Sequence, residues 1–161
     1  MSADRPAVVT LREIAAEDRE AVAALAVRPD QVRFVAPNRS SFRLAEEEPE
    51  GHPWLRAVYA GDHLVGFVML SDDVAPGDPV HPWRYFLWRL MIDARYQGRG
   101  YGRAAVELVV AYLHKRPNAN ALFTSYVPGE GSPAGFYARL GFAPTGEVFE
   151  EEIVLRLALD R

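Results

Sequence analysis

The feature that most constrains the fold is a strong strand signal followed by a glycine-rich loop and an amphipathic helix. The aromatic and aliphatic run Trp83–Ile92 predicts a strand, and the next segment carries glycines at positions 98, 100 and 102. From Tyr101 to Arg116 the apolar residues recur every three or four positions, which predicts a helix with one buried face. This strand, loop and helix form the centre of a predicted mixed α/β domain.

The glycine loop is suited to binding an anion. The first turn of a helix has unpaired N–H groups and a partial positive charge, and Arg95, Arg99 and Arg103 lie in or beside the loop. A pyrophosphate fits this pattern, but so does a tight turn without a ligand. A nucleotide P-loop is excluded because the chain has no Gly-Lys pair. A dinucleotide fingerprint fails because Arg103 replaces the third glycine and residues 117–121 contain no acid.

The remaining elements are predicted from hydrophobic period and from turn residues. Two apolar runs joined by Gly61-Asp62 indicate a hairpin, and Ser132-Pro133 is typical of a helix start. The predicted strands are Val8–Ile14, Trp54–Ala60, Leu64–Ser71, Ala121–Val127 and Glu147–Leu159, and the predicted helices are Ala16–Val27, Ser40 or Ser41 to Glu48, and Pro133–Leu140.

Composition narrows the class of protein. With 161 residues, 49% of them hydrophobic, we expect a single domain over residues 1–161. The chain has no cysteine, which excludes disulfides, thiolate metal sites and a cysteine nucleophile. The charged N-terminal segment does not resemble a signal peptide and no apolar run is long enough to span a membrane, so we expect a cytoplasmic protein. A net charge of −4 argues against nucleic acid as a partner and for cationic partners.

Two motifs give the chain a family resemblance. Gln97-x-x-Gly100-x-Gly102 after a strand, and Phe136–Phe142 one helix and one strand later, resemble the acyl-coenzyme A motifs of the GNAT family of N-acetyltransferases. Within that family the chain is similar to bacterial spermine and spermidine acetyltransferases, through the segments 34–38, 66–69, 88–93 and 146–147. The resemblance implies a mostly antiparallel, splayed sheet flanked by helices, with acetyl-CoA as cosubstrate and no metal.

The resemblance also implies which residues hold acetyl-CoA. Backbone groups of the strand end would bind the pantetheine arm, the loop amides would bind the pyrophosphate, and Tyr137 would lie near the thioester sulfur as proton donor. Where relatives often have Pro-Glu-Asn, this chain has Pro128–Ser132, so Ser132 or the loop backbone would replace the asparagine contact. The implied cofactor-binding residues are Leu90, Met91, Ile92, Gln97, Gly98, Arg99, Gly100, Tyr101, Gly102, Arg103, Ser132, Phe136 and Tyr137.

The amine side of the site is less defined by sequence. Acetyl transfer needs a neutral amine and a stabilised oxyanion, for which a backbone N–H near Met91 or Ile92 is the candidate. Glu147 and Glu150 are candidate catalytic carboxylates, although a solvated acidic edge explains this run equally well. As one strand, the segment would place Glu150 and Glu152 on the same face. The candidate substrate-binding residues are Gln31, Phe34, Asn38 and Glu152.

The leading hypothesis is therefore direct transfer of an acetyl group from acetyl-CoA to a small primary amine, such as spermine or spermidine, in a ternary complex. No nucleophile elbow is present, so a covalent acyl-enzyme has no support. The four histidines are scattered, show no metal-like spacing and are predicted to lie in turns or on the surface. The alternatives are a non-catalytic acyl-CoA-binding sensor and an acetyltransferase of a protein or peptide amine. A homodimer is compatible with the apolar last strand.

Overall fold

The computed structural model describes residues 7–159, so residues 1–6 and 160–161 of the predicted domain, including the start of the N-terminal segment discussed above, lie outside the described residues. The strands are β1 (Val9–Arg12), β2 (Pro53–Ala60), β3 (His63–Asp72), β4 (Tyr85–Ile92), β5 (Ala121–Tyr126), β6 (Ala143–Phe149) and β7 (Glu152–Ala158). The helices are α1 (Arg19–Ala24), α2 (Asn38–Glu47), α3 (Tyr101–Leu113) and α4 (Ala134–Arg139). Across residues 7–159, none of the helices has the length and apolar character that crossing a membrane requires.

The seven strands form one mixed sheet in the order β1-β2-β3-β4-β5-β7-β6. Every neighbouring pair is antiparallel except β4 and β5, which are parallel and are connected through α3. Both sides of the sheet are covered in part. Val106, Val109 and Leu113 of α3 pack on one side, and Val22 of α1 and Phe42 of α2 pack on the other. The predicted α/β class and the hairpins before the crossover helix are confirmed.

The sheet splits between β4 and β5. Their parallel pairing consists of two register pairs, Phe86 with Phe123 and Leu87 with Thr124. Directly after this point β4 carries a bulge, because Leu87 lies opposite Leu70 whereas Arg89 lies opposite Met69, so that Trp88 is an extra residue. Beyond Leu87 no residue of β4 is paired with β5. The splayed sheet that the family resemblance implied is therefore present.

The predicted helix over 16–27 is wrong in its length. Ala16–Asp18 forms a 3₁₀ turn, α1 has six residues, and Leu25 is already extended. The cause is tertiary, since the N–H of Ala26 donates to the buried carboxylate of Asp93 at 3.0 Å and its carbonyl accepts from Ala94 at 2.9 Å. Those two bonds attach the chain after α1 to the end of β4, and a continuing helix would lose them.

Two predicted helix starts also differ. Helix α2 begins at Asn38 after Pro37, so Ser40 and Ser41 lie inside the helix and do not cap it. Proline is well suited to a helix start because its φ is already helical. Helix α4 begins at Ala134, and the Ser132 hydroxyl accepts a long 3.4 Å bond from that residue's N–H.

The single strand predicted over 147–159 is wrong. The segment is a hairpin in which Phe149 of β6 pairs with Glu152 of β7 across a two-residue turn, Glu150-Glu151. Both turn residues have positive φ, 49° and 67°, as a tight turn that matches the strand twist requires. Glu150 and Glu152 therefore do not share one face of one strand.

Candidate active site

A cleft of about 770 Å³ opens where β4 and β5 separate. Its walls are the end of β4, the end of β5, the glycine loop, the start of α4 and the segment 31–36. Most of the residues predicted for the site line this one cavity, namely Gln31, Phe34, Leu90, Met91, Ile92, Gln97, Gly98, Gly100, Tyr101, Gly102, Arg103, Ser132, Phe136, Tyr137 and Glu152. Arg99 is exposed and does not line the cleft.

The glycine loop has a backbone that favours glycine. Gly98 and Gly100 have φ values of +77° and +82°, and a Cβ on either would meet no heavy atom within 4 Å. Gly102 lies in the first turn of α3, where a Cβ would come within 3.3 Å of the Phe136 ring. Because no side chain caps the N-terminus of α3, its first N–H groups are available at the cleft. Arg103 pairs with Glu107 at 3.0 Å at the cleft's edge.

Two glutamines brace the loop. The Gln97 amide donates to the Ile92 carbonyl at 2.8 Å and to the Gln31 side chain at 2.9 Å, and Gln31 donates back to Gln97 at 3.2 Å. Arg33 donates to the carbonyl of Glu130 at 3.0 Å on the opposite wall. The segment that carries Gln31 and Phe34 therefore lines the cleft and is hydrogen-bonded both to the glycine loop and to the segment before α4.

Tyr137 lies at the fork between the two strands. Its side chain is buried, and burial raises the pKa of its hydroxyl to about 12, with the Thr124 hydroxyl opposing this shift and the charge of Glu152 adding to it. The rings of Phe136 and Phe142 pack edge-on against Tyr137, which fixes its position. A buried phenol with a raised pKa keeps its proton at physiological pH and can donate it.

A second cavity of about 220 Å³ lies beyond the fork and shares Trp88, Arg89, Ser125 and Glu152 with the cleft. Sequence reasoning missed this cavity. Its walls combine aromatic rings with acidic groups, and the lining includes Glu48, His81, Trp83, Phe86, Phe149 and Glu150. The aromatic residues Trp83, Phe86 and Trp88, in and just before β4, were a usable signal, but nothing local indicated that Glu48 would meet them.

The predicted carboxylates have three different positions. Glu152 is half-buried, lines both cavities and accepts a 2.9 Å bond from the Ser125 hydroxyl. Glu150 is exposed in the β6–β7 turn at the edge of the second cavity. Glu147 is exposed on the edge strand and lines neither cavity. Of these three, only Glu152 reaches the fork.

Asn38, predicted to bind substrate, does not line the cleft. Its side chain is 2% exposed, and its amide donates to the Val22 carbonyl at 2.9 Å and approaches the Met91 sulfur at 3.5 Å. It therefore holds α2 against α1 and β4. The structure gives this residue a packing position because a buried amide must find partners inside the protein.

His81 differs from its predicted surface position. It is buried, with Nε2 2.9 Å from a carboxylate oxygen of Glu48 and its ring edge-on to Trp88. Glu48, Glu50 and His81 bring their ligand atoms within 4.8 Å of one another. The argument from sequence spacing against a histidine metal site therefore does not hold for His81, because folding brings together what the sequence separates.

The split sheet, the glycine loop at a helix N-terminus and the buried tyrosine are together the features of an acetyltransferase. Residues 10–142 match the model of the Acetyltransferase (GNAT) family, so the chain belongs to this family and is an acetyltransferase. A spermine/spermidine N(1)-acetyltransferase of Bacillus subtilis is 25% identical over 140 residues, which cover 87% of this chain and 91% of that protein.

Solved structures agree with the fold. An acetyltransferase from Thermus thermophilus superposes with a TM-score of 0.70 at 17% identity, covering 94% of this chain and 97% of its own. The PaiA N-acetyltransferase from Thermoplasma acidophilum, solved in complex with coenzyme A, gives 0.61 at 14% identity, covering 94% and 99%. The predicted GNAT fold is confirmed.

Proposed function

We propose that this acetyltransferase transfers the acetyl group of acetyl-CoA to a primary amine of a small molecule, with a polyamine as the first candidate. The observation that carries the proposal is the arrangement along one cleft. The glycine loop lies at one end, and the buried Tyr137 and the half-buried Glu152 lie at the fork between β4 and β5. Acetyl-CoA supplies an activated acyl group as a thioester, and the residues of the chain supply binding, orientation and proton transfer.

The cleft is suited to the shape and charge of acetyl-CoA. Beyond Leu87 the backbone of β4 no longer pairs with β5, so Leu90, Met91 and Ile92 would offer peptide groups to the amides of the pantetheine arm. The open positions at Gly98 and Gly100 would let a pyrophosphate approach the N–H groups of α3. Ser132 and Phe136 line the same cavity and would contact the arm from the opposite side.

The fork would supply the proton transfers. Tyr137 would donate its proton to the departing sulfur, because burial keeps the phenol protonated. Glu152 would accept a proton from the amine, since it is the predicted carboxylate that lines both cavities. The Ser125 hydroxyl occupies one oxygen of this carboxylate and would orient the other. The two groups would therefore act from the two sides of the reacting carbon.

The second cavity supports a cationic amine. Three carboxylates, those of Glu48, Glu150 and Glu152, line a small space walled by aromatic rings, which attract an ammonium group through their faces. They outnumber the one guanidinium of the lining, that of Arg89, although Glu48 also faces His81. The B. subtilis relative carries a polyamine name, which agrees with this charge pattern. We therefore expect the acceptor to enter from this side and a distal ammonium to remain near Glu150.

The proposal is tested by measuring thiol release from acetyl-CoA with an amine panel that contains spermine, spermidine, a monoamine of similar length and a lysine peptide. We expect release with the small amines, and a lower KM for spermine than for the monoamine. Glu152→Gln should lower kcat for every amine, whereas Glu150→Gln should raise KM for spermine alone. Glu147→Gln is the matched control, because this exposed acid lines neither cavity.

Thiol release with the lysine peptide but with none of the small amines would contradict the proposed acceptor and indicate a protein or peptide amine instead. Equal effects of Glu152→Gln and Glu147→Gln would remove Glu152 from the reaction.

A further inference from the structure

Trp88 stands at the passage between the cleft and the second cavity, and the proposed function gives it no role. Four residues line both cavities and form this passage, here called the neck, namely Trp88, Arg89, Ser125 and Glu152. The other three carry polar or charged groups, so the indole is the large apolar wall of the neck. Trp88 is also the extra residue of the β4 bulge, and bulges next to active sites re-aim side chains.

The indole of Trp88 is held in one position by its neighbours. A Cβ added to the buried Gly51 would lie 2.8 Å from the ring, so the backbone there lies directly against the indole and only glycine leaves room for it. The imidazole of His81 packs edge-on against the indole with a centroid distance of 4.8 Å. The buried cluster that includes Phe67 and Met91 packs against Trp88 as well. A ring fixed in this way is a wall of constant position, as selection by size requires.

On the proposed function, on which this inference rests, the neck is also the place of the acyl group. The pantetheine arm lies along Leu90–Ile92 and the sulfur lies beside Tyr137, so the acyl carbons are the next atoms along the cleft. We infer that Trp88 limits the donor to a two-carbon acyl group. A further methylene meets the indole or must pass between the charged groups of Arg89 and Glu152, which lose contact with water when an apolar chain covers them.

Acyl length then also affects the acceptor. The transfer step is the same for every donor, since the amine nitrogen forms the new bond to the acyl carbon and the C–S bond breaks. The sulfur takes the proton of Tyr137, and Glu152 takes a proton from the amine. A chain that passed the neck would enter the cavity of about 220 Å³ through which the amine arrives. A wall at Trp88 therefore keeps the donor out of the space that the acceptor needs.

The test compares acetyl-, propionyl- and butyryl-CoA as donors, with thiol release as the signal and each small amine of the panel as acceptor. A single methylene changes kcat/KM by about 10- to 200-fold where a pocket discriminates by size, so the natural protein should prefer acetyl-CoA by at least about 10-fold. Trp88→Leu should raise the butyryl-to-acetyl ratio of kcat/KM by about 10- to 100-fold with every amine. Trp88→Phe keeps a ring in the packed cluster and should raise the propionyl-to-acetyl ratio, which tests the same limit if Trp88→Leu does not fold.

Two tryptophans serve as matched controls. Trp54 stacks on Tyr112 at 4.6 Å and lines neither cavity, so Trp54→Leu should leave the donor ratio as in the natural protein. Trp83 lines the second cavity but not the cleft, so Trp83→Leu should change KM for the amine without changing the donor ratio.

A second readout does not depend on turnover. S-ethyl- and S-butyl-CoA are unreactive thioethers with the chain lengths of the acetyl and butyryl donors, and their binding is measured by calorimetric titration. The natural protein and Trp54→Leu should bind S-ethyl-CoA more tightly, whereas Trp88→Leu should bind S-butyl-CoA at least as tightly as S-ethyl-CoA. Affinity for coenzyme A itself, which has no acyl chain, should be the same in all three.

The outcomes are distinguishable. Equal use of acetyl- and butyryl-CoA by the natural protein overturns the role of Trp88, and so does an unchanged donor ratio in folded Trp88 variants that bind coenzyme A normally. The same holds for an effect of Trp88→Leu confined to the choice of amine, or for an equal rise of the donor ratio in Trp83→Leu. Each of these results leaves the proposed function standing. A natural protein that binds no coenzyme A and releases no thiol with any amine overturns the proposed function, and the role of Trp88 with it.

Discussion

Replacing Gly100 by aspartate and, separately, by asparagine tests whether the glycine loop holds an anion. Gly100 has a φ of +82° and directly precedes the first residue of α3. Since a Cβ there would meet no heavy atom within 4 Å, either side chain fits without moving a neighbour. Aspartate and asparagine are the residues that best tolerate this left-handed conformation, at a cost of about 1–2 kcal/mol that both variants share. The two variants therefore differ mainly in one negative charge.

The expected size of the difference follows from charge repulsion. A carboxylate about 6 Å from one phosphate charge, at an effective dielectric constant of about 20, repels it by about 3 kcal/mol. Salt and side-chain rotation reduce this value, so we expect coenzyme A to bind Gly100→Asp about 30- to 100-fold more weakly than Gly100→Asn. The free protein should show the opposite order, because a negative charge at a helix N-terminus stabilises the helix by a few tenths of a kcal/mol.

The assay is calorimetric titration of both variants with coenzyme A at low salt and again at physiological salt, together with thermal melting. The affinity gap should narrow as salt is added, and the aspartate variant should melt no earlier than the asparagine variant. Equal affinities in two folded variants would refute the assignment of the loop to a phosphate group.

Three further outcomes are expected. Tyr137→Phe should lower kcat by about 10²- to 10⁴-fold, and a variant with near-full turnover would contradict the role of Tyr137 as proton donor. Because burial raises the pKa of this tyrosine to about 12, the natural protein should show no falling rate limb near pH 9 that Tyr137→Phe removes. Asn38→Ala, which leaves the buried Val22 carbonyl without its side-chain donor, should lower the free energy of unfolding by about 1–3 kcal/mol, measured by urea denaturation. Gly66→Ala would place a Cβ 2.4 Å from the carbonyl oxygen of Met91, so β3 and β4 must separate, and we expect a loss of more than about 2 kcal/mol in the same assay.

The parts of the fold that sequence predicted best are those fixed by local chemistry. The strand before the glycine loop and helix α3 show clear hydrophobic periods, and Gly61 supplies the positive φ of the β2–β3 turn. These signals do not depend on distant partners. The motif resemblance then placed most cofactor-binding candidates in one cleft, although Arg99 lies outside it.

What sequence missed depends on residues far apart in the chain. Helix α1 ends early because Asp93, 67 positions further on, takes the N–H of Ala26. The β6–β7 turn uses two glutamates in a conformation that usually favours glycine or asparagine, so no turn residue marked it. Arg89 lay inside an apolar strand run, and its position in the walls of both cavities exists only after folding.

The two register pairs between β4 and β5 also have a consequence for the kinetics of folding. The β2–β3 and β3–β4 pairs join strands that follow each other along the chain, so forming them closes comparatively short loops. The β4–β5 pairs instead join residues 37 positions apart, with the whole of α3 between them. Loop closure of that length costs entropy before any bond compensates for it, so this junction is expected to form late. A molecule that binds to both strands would add contacts that the transition state lacks. Its main effect would then be to slow unfolding, with little change in the rate of folding.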